Sequence, residues 1–308
     1  MESNLYWTQL KSGTIATAQP NCNGQTLSNM LIPIPPKSEQ NRIVNKINDL
    51  IIQLEKYNAL ENNLYNLNLS YKEQLKKSIL QYAIEGKLVK QDSNDEPVSI
   101  LLEKIRAEKN KLISEGKIKK DKNESFIFKR DNSYYENIQG KEYCIDDLLP
   151  FDIPSSWSWI RFGKLMINND FKRIPLSVSQ RTKLSKVYDY YGASGVIDKV
   201  DNYIFDKTLL LIGEDGANLL TRSTPIAFIA SGKYWVNNHA HVLDAPCGVL
   251  LEYIAYYINS ISLAPYVTGT AQPKMNQEKM NSILVPIPST NEQKRIVKQI
   301  KTIEQLLK

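Results

Sequence analysis

Cysteine is scarce in this chain. Cys22, Cys144 and Cys247 are odd in number and far apart. That excludes a disulfide framework and fits buried thiols in a reducing cytosol. Long apolar runs are also missing. No stretch reaches the roughly 18 consecutive apolar residues of a membrane span. The opening residues, MESNLYWTQLKSG, lack the basic start and apolar core of a secretion signal. Signatures of chemistry are equally sparse. There is no G-x-x-x-x-G-K-[ST] phosphate loop, no Cys/His cluster at zinc spacing and no N-P-P-Y-type methylation motif. E-x-K triplets such as Glu85-Gly86-Lys87 occur, but without the preceding acid that a nuclease centre needs. A catalyst is therefore not expected.

What is present is an ordinary globular composition. The 308 residues are 42% hydrophobic and 23% charged, with net charge +6. That is room for one large or two modest domains. The charge is uneven. Residues 101–130 hold ten Lys and Arg against five Asp and Glu. Residues 161–186 hold Arg161, Lys164, Lys172, Arg173, Arg181, Lys183 and Lys186 against Asp170 alone. Such segments suit either phosphate contacts or a solvated surface.

The chain also repeats itself. MLIPIPPKSEQNRIV (30–44) returns as ILVPIPSTNEQKRIV (283–297), at an offset of 253 residues. Over 17–54 against 270–307, 16 of 38 positions are identical. Both copies carry T-A-Q-P, then P-I-P, then E-Q-x-R-I-V. A period this long is a duplicated half-molecule, because solenoid repeats run only about 20–50 residues. In each copy the prolines enforce an extended run. Leu31-Ile32 and Leu284-Val285 read as buried strand ends. Ser38 or Asn291 is then placed to cap a helix, with Glu39 or Glu292 in its first turn.

Neither proline nor glycine occurs between Pro36 and Gly86. A helix over 39–84 would be about 69 Å long at 1.5 Å per residue. Ile43, Ile47, Leu50, Leu54, Tyr57, Leu64, Tyr71, Leu75 and Tyr82 follow a 4-3 spacing, interrupted by polar seam positions. That is a coiled-coil stripe, and so long a helix needs a partner. Pro97 opens a shorter helix that Gly116 stops. A Lys-rich stretch follows, read as surface loop or short strand. From about Phe151, apolar strands alternate with glycine turns, and GVLLEYIAYYINS forms an amphipathic helix.

These segments in this order resemble the specificity (S) subunits of type I restriction–modification systems. The resemblance is carried by EQNRIVNKINDLI and the helix after it, PFDIPSSWSWIRFGKL, YYGASGVIDKVDNYIF, LIGEDGANLLTRSTPIAFIASGKYWVNNHAHVL and TGTAQPKMNQEKMNSILVPIP. It implies a mixed α/β (α+β) target-recognition domain plus a long coiled-coil spacer helix. The expected division is a C-terminal remnant of a first recognition domain (1–38), the spacer helix (39–86), and a linker with a short helix and basic loop (87–149). A complete recognition domain (150–288) and the start of a second spacer helix (289–308) follow, so the chain reads as truncated against the family plan of two domains and two antiparallel helices. The implied role is non-catalytic: reading half of a bipartite site on double-stranded DNA and docking the methyltransferase (M) subunit. The restriction (R) subunit would join through the complex, and a second copy through the spacer helices. No cofactor is expected on this chain. S-adenosylmethionine belongs to the methyltransferase partner, and ATP and Mg to the restriction subunit. The expected location is cytoplasmic. The competing reading is a non-recognising scaffold or silent recombination cassette product.

The candidate DNA contacts lie on loops. Lys172, Arg173, Arg181 and Lys183 suit phosphate positioning. Asn218 and Arg222 sit in a polar turn, with Arg222 the expected base-edge reader. Asn237 and Asn238 suit adenine or simply a turn. His239 and His241, at alternate positions, are read as facing one side of a strand, with a metal edge, core packing and DNA contact all open. Gln272 and Lys274 follow T-A-Q-P, where repetition in both copies favours a phosphate or structural role. Tyr190 and Tyr191 are expected to pack. Ile47, Leu50, Leu54, Leu64, Tyr71 and Leu75 are the expected pairing seam.

Overall fold

Two short helices, α1 (Asn4–Gly13) and α2 (Gly24–Ser28), precede the longest element, α3 (Lys37–Ile84). The structure is a computed structural model that describes residues 3–13, 24–120, 124–269 and 271–307. Cys22, the first T-A-Q-P at 17–20 and Thr270 lie outside the described residues. The chain divides into two compact units, residues 1–70 and 71–308.

In the first unit, Pro36 immediately precedes α3, and its carbonyl accepts the first turn's N–H groups from Glu39 and Gln40. The expected seam is present but bare. Ile47 and Leu50 are each 49% exposed, and Leu54 and Leu64 are exposed as well. Leu31 and Ile32, read as a buried strand end, form no strand and are 80% and 75% exposed. The physical reason is the absence of a neighbouring strand among the described residues of this unit.

The second unit begins with the end of α3, where Tyr71 and Leu75 remain exposed while Ile79, Ala83 and Ile84 enter the core. Gly86 ends the helix in the left-handed conformation, φ +70°. Next, α4 (Val98–Ser114) follows Pro97 and stops before Gly116, as its sequence requires. One face of it packs inward. Val98, Leu101 and Ile105, at i, i+3 and i+7, form one buried stripe in the main core. Further along, the Lys109 ammonium donates to the carbonyls of Gly163, Lys164 and Met166 at 2.7–3.0 Å.

The Lys-rich stretch leads into an antiparallel meander of β1 (Ser125–Arg130), β2 (Ser133–Ile138) and β3 (Lys141–Cys144). Asp131 and Asn132 take positive φ between β1 and β2, the backbone a two-residue hairpin demands. The meander is tied down by Arg161, which is paired with the nearly buried Glu136 at 2.6 Å. Cys144 and Cys247 are exposed thiols, contrary to the buried placement expected from scarcity.

The remaining elements are β4 (Ser158–Arg161), α5 (Phe162–Leu165), β5 (Ile167–Asn168), α6 (Val178–Arg181), β6 (Tyr188–Gly192), β7 (Gly195–Val200), β8 (Phe205–Asp206), β9 (Leu209–Gly213) and α7 (Asn218–Thr221). Then come β10 (Ala227–Ala230), β11 (Lys233–Val236), β12 (Ala240–Asp244), α8 (Leu251–Ser260), α9 (Gln277–Asn281), β13 (Leu284–Ile287) and α10 (Thr290–Leu306). One antiparallel sheet has the order β10-β9-β12-β5, and a mixed one β7-β6-β11-β8, in which β11 runs parallel to β6. Every residue of β9 is buried, which explains its unbroken LLLIG. Helix α8 covers the core with Tyr253, Ile254, Tyr257 and Ile258. The Tyr253 hydroxyl donates to the Pro286 carbonyl at 2.7 Å and that of Tyr257 to the Leu284 carbonyl. The second copy of the repeat is thus a fully buried strand, β13 paired with β4. Its helix α10 is capped by Ser289, whose Oγ accepts from the Glu292 N–H at 3.1 Å, two residues before the expected Asn291. By the offset of 253, Pro36 holds that place in the first copy and brings no hydroxyl. No described helix is long and apolar enough to cross a membrane.

Candidate nucleic-acid interface

Four segments meet beside the open end of the β9–β12 pair. They are the turn 170–174 after β5, the end of β9 at Glu214-Asp215, the lead into β12 at 237–241, and the stretch 272–275. Their polar and charged side chains form one network. Arg173 Nη1 donates to Glu214 Oε2 at 2.7 Å and to the Ala240 carbonyl at 2.8 Å. Its Nη2 lies 3.4 Å from Asp170 Oδ2. Asp170 Oδ1 accepts from the Val242 N–H at 2.7 Å, and Oδ2 meets His241 Nδ1 at 2.6 Å. His241 Nε2 lies 2.9 Å from the Met275 carbonyl. His241 thus bridges the Asp170 carboxylate and the Met275 carbonyl. Lys274 reaches Glu214 Oε1 at 3.1 Å.

This cluster is buried, which decides its electrostatics. Burial pushes the Asp170 carboxyl upward, but the His241 hydrogen bond and charge, the Val242 N–H and Arg173 outweigh it and hold the group below its ordinary range. Burial likewise raises Glu214, and Arg173, His241 and Lys274 together bring it below its ordinary value. Both acids are therefore charged at neutral pH. They join backbone segments whose sequence separation gives no hint of contact.

The candidate residues sort into two groups. Lys172, Lys183, Asn238, His239, Gln272 and Lys274 present exposed side chains. His239 is held by Asp215, Nδ1 to Oδ2 at 2.7 Å. The other six turn inward. Arg173 and His241 belong to the cluster just described. Arg181 donates to Asp198 at 2.9 Å and to the Leu176 carbonyl at 3.0 Å, with its guanidinium over the Tyr190 ring. Lys186, the Lys199 N–H and Arg181 hold Asp198 down to about 2. Asn218 closes its own turn, accepting from Ser223 and Thr224. Asn237 is buried and accepts from the His239 N–H.

Arg222 differs most from its expected place at a base edge. Its Nη2 donates to the carbonyls of Ile258 and Ile261, at 2.6 and 2.8 Å, and so satisfies the C-terminal end of α8. Nor do His239 and His241 share one environment, since the first is exposed and the second is buried. Among the described residues no group of three or more His, Cys, Asp or Glu is arranged to hold a metal ion. Tyr190 is buried as expected, and its hydroxyl accepts from the Leu176 N–H. Sequence reasoning missed Asp170, Glu214 and Asp215. One signal was available: Asp170 is the sole acid in the basic run 161–186.

The family model described as Type I restriction modification DNA specificity domain matches residues 3–81 and 167–308. A putative type I restriction enzyme specificity subunit from Haemophilus influenzae, S.HindORF215P, is 31% identical over 133 residues, 43% of this chain and 33% of that protein. The type I restriction enzyme EcoEI specificity subunit of Escherichia coli is 29% identical over 259 residues, 76% of this chain and 40% of that protein. The HsdS subunit from Thermoanaerobacter tengcongensis is similar at 15% identity and a TM-score of 0.42, covering 99% of this chain and 61% of that one. The chain spans about two fifths or less of the length of these curated relatives. With the family model matched over well more than half of its residues, the chain belongs to the type I restriction–modification DNA specificity domain family.

Proposed function

We propose that this chain is a non-catalytic DNA-recognition subunit that reads a half-site and docks a type I methyltransferase. The observation that carries this reading is the convergence of four loop segments on the Arg173–Asp170–Glu214–His241 cluster. Lys172, Asn238, His239, Gln272 and Lys274 stand exposed on those same segments. Lysines there suit phosphates, and Asn238 and Gln272 suit base edges. S-adenosylmethionine would be held by the methyltransferase partner, and ATP and Mg by the restriction subunit. The place of action is the cytoplasm. The partner extracts the target base from the stack to modify it, so this chain supplies address and not chemistry.

Co-expression with the methyltransferase subunit, followed by mapping of modified bases, tests the proposal. A stable complex and one new modified motif are expected. A complex that modifies nothing would favour the scaffold reading, in which the exposed groups on these loops serve no recognition. A salt titration adds the electrostatic test. Affinity for duplex should fall steeply with salt while a preference for one sequence persists.

The bare seam of α3 is proposed as the surface for helix pairing, with the methyltransferase or a second copy. Leu54→Asp places a charge in that stripe and is expected to weaken assembly at least tenfold, since each 1.4 kcal/mol is a factor of ten. Light-scattering mass with and without the partner reads the effect. The second unit should unfold at an unchanged denaturant concentration, because Leu54 lies outside it.

A further inference from the structure

We infer that Phe171 is a base-stacking wedge, displayed by a turn that the buried charge cluster locks in place. This inference rests on the DNA-recognition reading and assigns a specific contact within it. Single exposed apolar side chains are common on protein surfaces and by themselves mean nothing. Phe171 differs in what holds it. The residue is 67% exposed in the middle of the turn Asp170–Lys172. The backbone on both sides is fastened inside the domain. The Asn169 N–H donates to the Val242 carbonyl at 2.8 Å, and the Asp170 N–H to Asn168 Oδ1 at 2.8 Å. The Asp170 carboxylate is bound by His241 and Val242, and the Arg173 side chain by Glu214 and Ala240. Beyond it, Trp235 Nε1 donates to the Ile174 carbonyl at 2.7 Å.

Two ionic residues thus point in, and the two residues between them point out. Those two are an aromatic ring and a cation, with Lys172 Nζ 5.4 Å from the Phe171 ring centroid. A mobile loop would lose entropy when its ring docks, whereas a ring on a fixed turn is already ordered. An exposed aromatic beside a lysine matches the chemistry of a nucleic-acid surface. The ring face stacks on a base or enters a base step, and the ammonium meets the adjacent phosphate. Asn238, His239 and Lys274 are exposed on segments tied to the same cluster.

The test uses the full chain assembled with its methyltransferase subunit. The probe is the duplex this complex enriches from a randomised library, with 2-aminopurine placed at successive positions of the enriched half-site. Phe171→Ala should weaken binding on the order of tenfold to a hundredfold, the range for removing an aromatic that stacks on one base. The slope of log affinity against log salt should not change, because no charge is removed. Lys172→Ala should instead make that slope shallower by about one. Wild type should raise 2-aminopurine fluorescence at one step, Phe171→Ala should abolish that rise, and Phe171→Trp should restore it. Affinity for Phe171→Ala within twofold of wild type overturns the proposal. A loss accompanied by a shallower salt slope also overturns it, by assigning the effect to Lys172. Failure of the wild-type complex to enrich any duplex overturns the recognition reading itself, and the wedge with it.

Discussion

Arg173→Ala is expected to destabilise the second unit by roughly 3–5 kcal/mol, the range for removing one partner of a buried ion pair. The Arg173, Asp170 and Glu214 side chains are only 14%, 9% and 10% exposed. Without the guanidinium, two carboxylates remain inside with His241 and Lys274, and the Ala240 carbonyl loses a donor. Urea unfolding at pH 7 measures the loss. The effect has a defined pH dependence. Both acids sit below their ordinary values of 3.8 and 4.5 in the folded chain. Groups of this kind stabilise the fold above those ordinary values and lose the contribution as pH falls through the lower folded-state values. Wild type and variant should therefore differ fully at pH 7 and converge only as pH falls below both ordinary values, through the lower folded-state ones. Arg173→Lys keeps the charge but not the planar fork, so it should fall between the two. A loss under about 0.5 kcal/mol at pH 7, the size of an ordinary surface substitution, would contradict the role given to this cluster.

Gly86→Ala is expected to be nearly as damaging, and Gly116→Ala supplies its control. Both glycines end helices at φ +70°. A left-handed conformation disfavours any side chain by about 1–2 kcal/mol. At Gly116 nothing lies within 4 Å of the added methyl group, so that is the whole effect expected. At Gly86 the methyl would stand 2.4 Å from Pro154 Cγ and 3.2 Å from Trp157 Cζ2. Trp157 in turn packs edge-on against Tyr253, so relief must pass into the core. Overpacking adds about 1–3 kcal/mol. Gly86→Ala should consequently lose about 1–3 kcal/mol more than Gly116→Ala, read as the difference in urea midpoints at constant slope. Equal losses would show that Pro154 moves aside freely.

The contrast between these glycines also marks how far sequence reasoning reaches. Local chemistry was legible. Pro36 and Gly86 bound the long helix, Pro97 and Gly116 bound the shorter one, and β9 announces its burial by an unbroken apolar run. Long-range chemistry was not. Arg222 and the end of α8 are some 36–39 residues apart. No periodicity predicts that a basic residue in a polar turn will reach inward to cap a helix. The inward half of the candidate contacts failed as exposed contacts for the same reason. Arg173 and Arg181 look like solvent-facing cations until Glu214 and Asp198 are brought beside them by folding. The meander β1–β3 was legible only in part: β1 lies within the Lys-rich stretch read as surface loop or short strand, while β2 and β3 were not read as strands.

The twin P-I-P segments carry a colloidal consequence. In the second copy every residue from Leu284 to Ile287 is buried, while in the first Leu31, Ile32 and Ile34 are 75–81% exposed. The same apolar string is therefore interior in one place and adhesive in another. Pro33, Pro35 and Pro36 remove amide donors from this segment, which limits it to one-sided pairing, as in β13, whose one partner among the described strands is β4, and restrains fibril growth. They do not prevent amorphous clumping, which needs only exposed hydrocarbon. Preparations of this polypeptide without a binding partner should become turbid as concentration rises. Exchanging Leu31 and Ile32 for serine should clear them without altering the folded second unit.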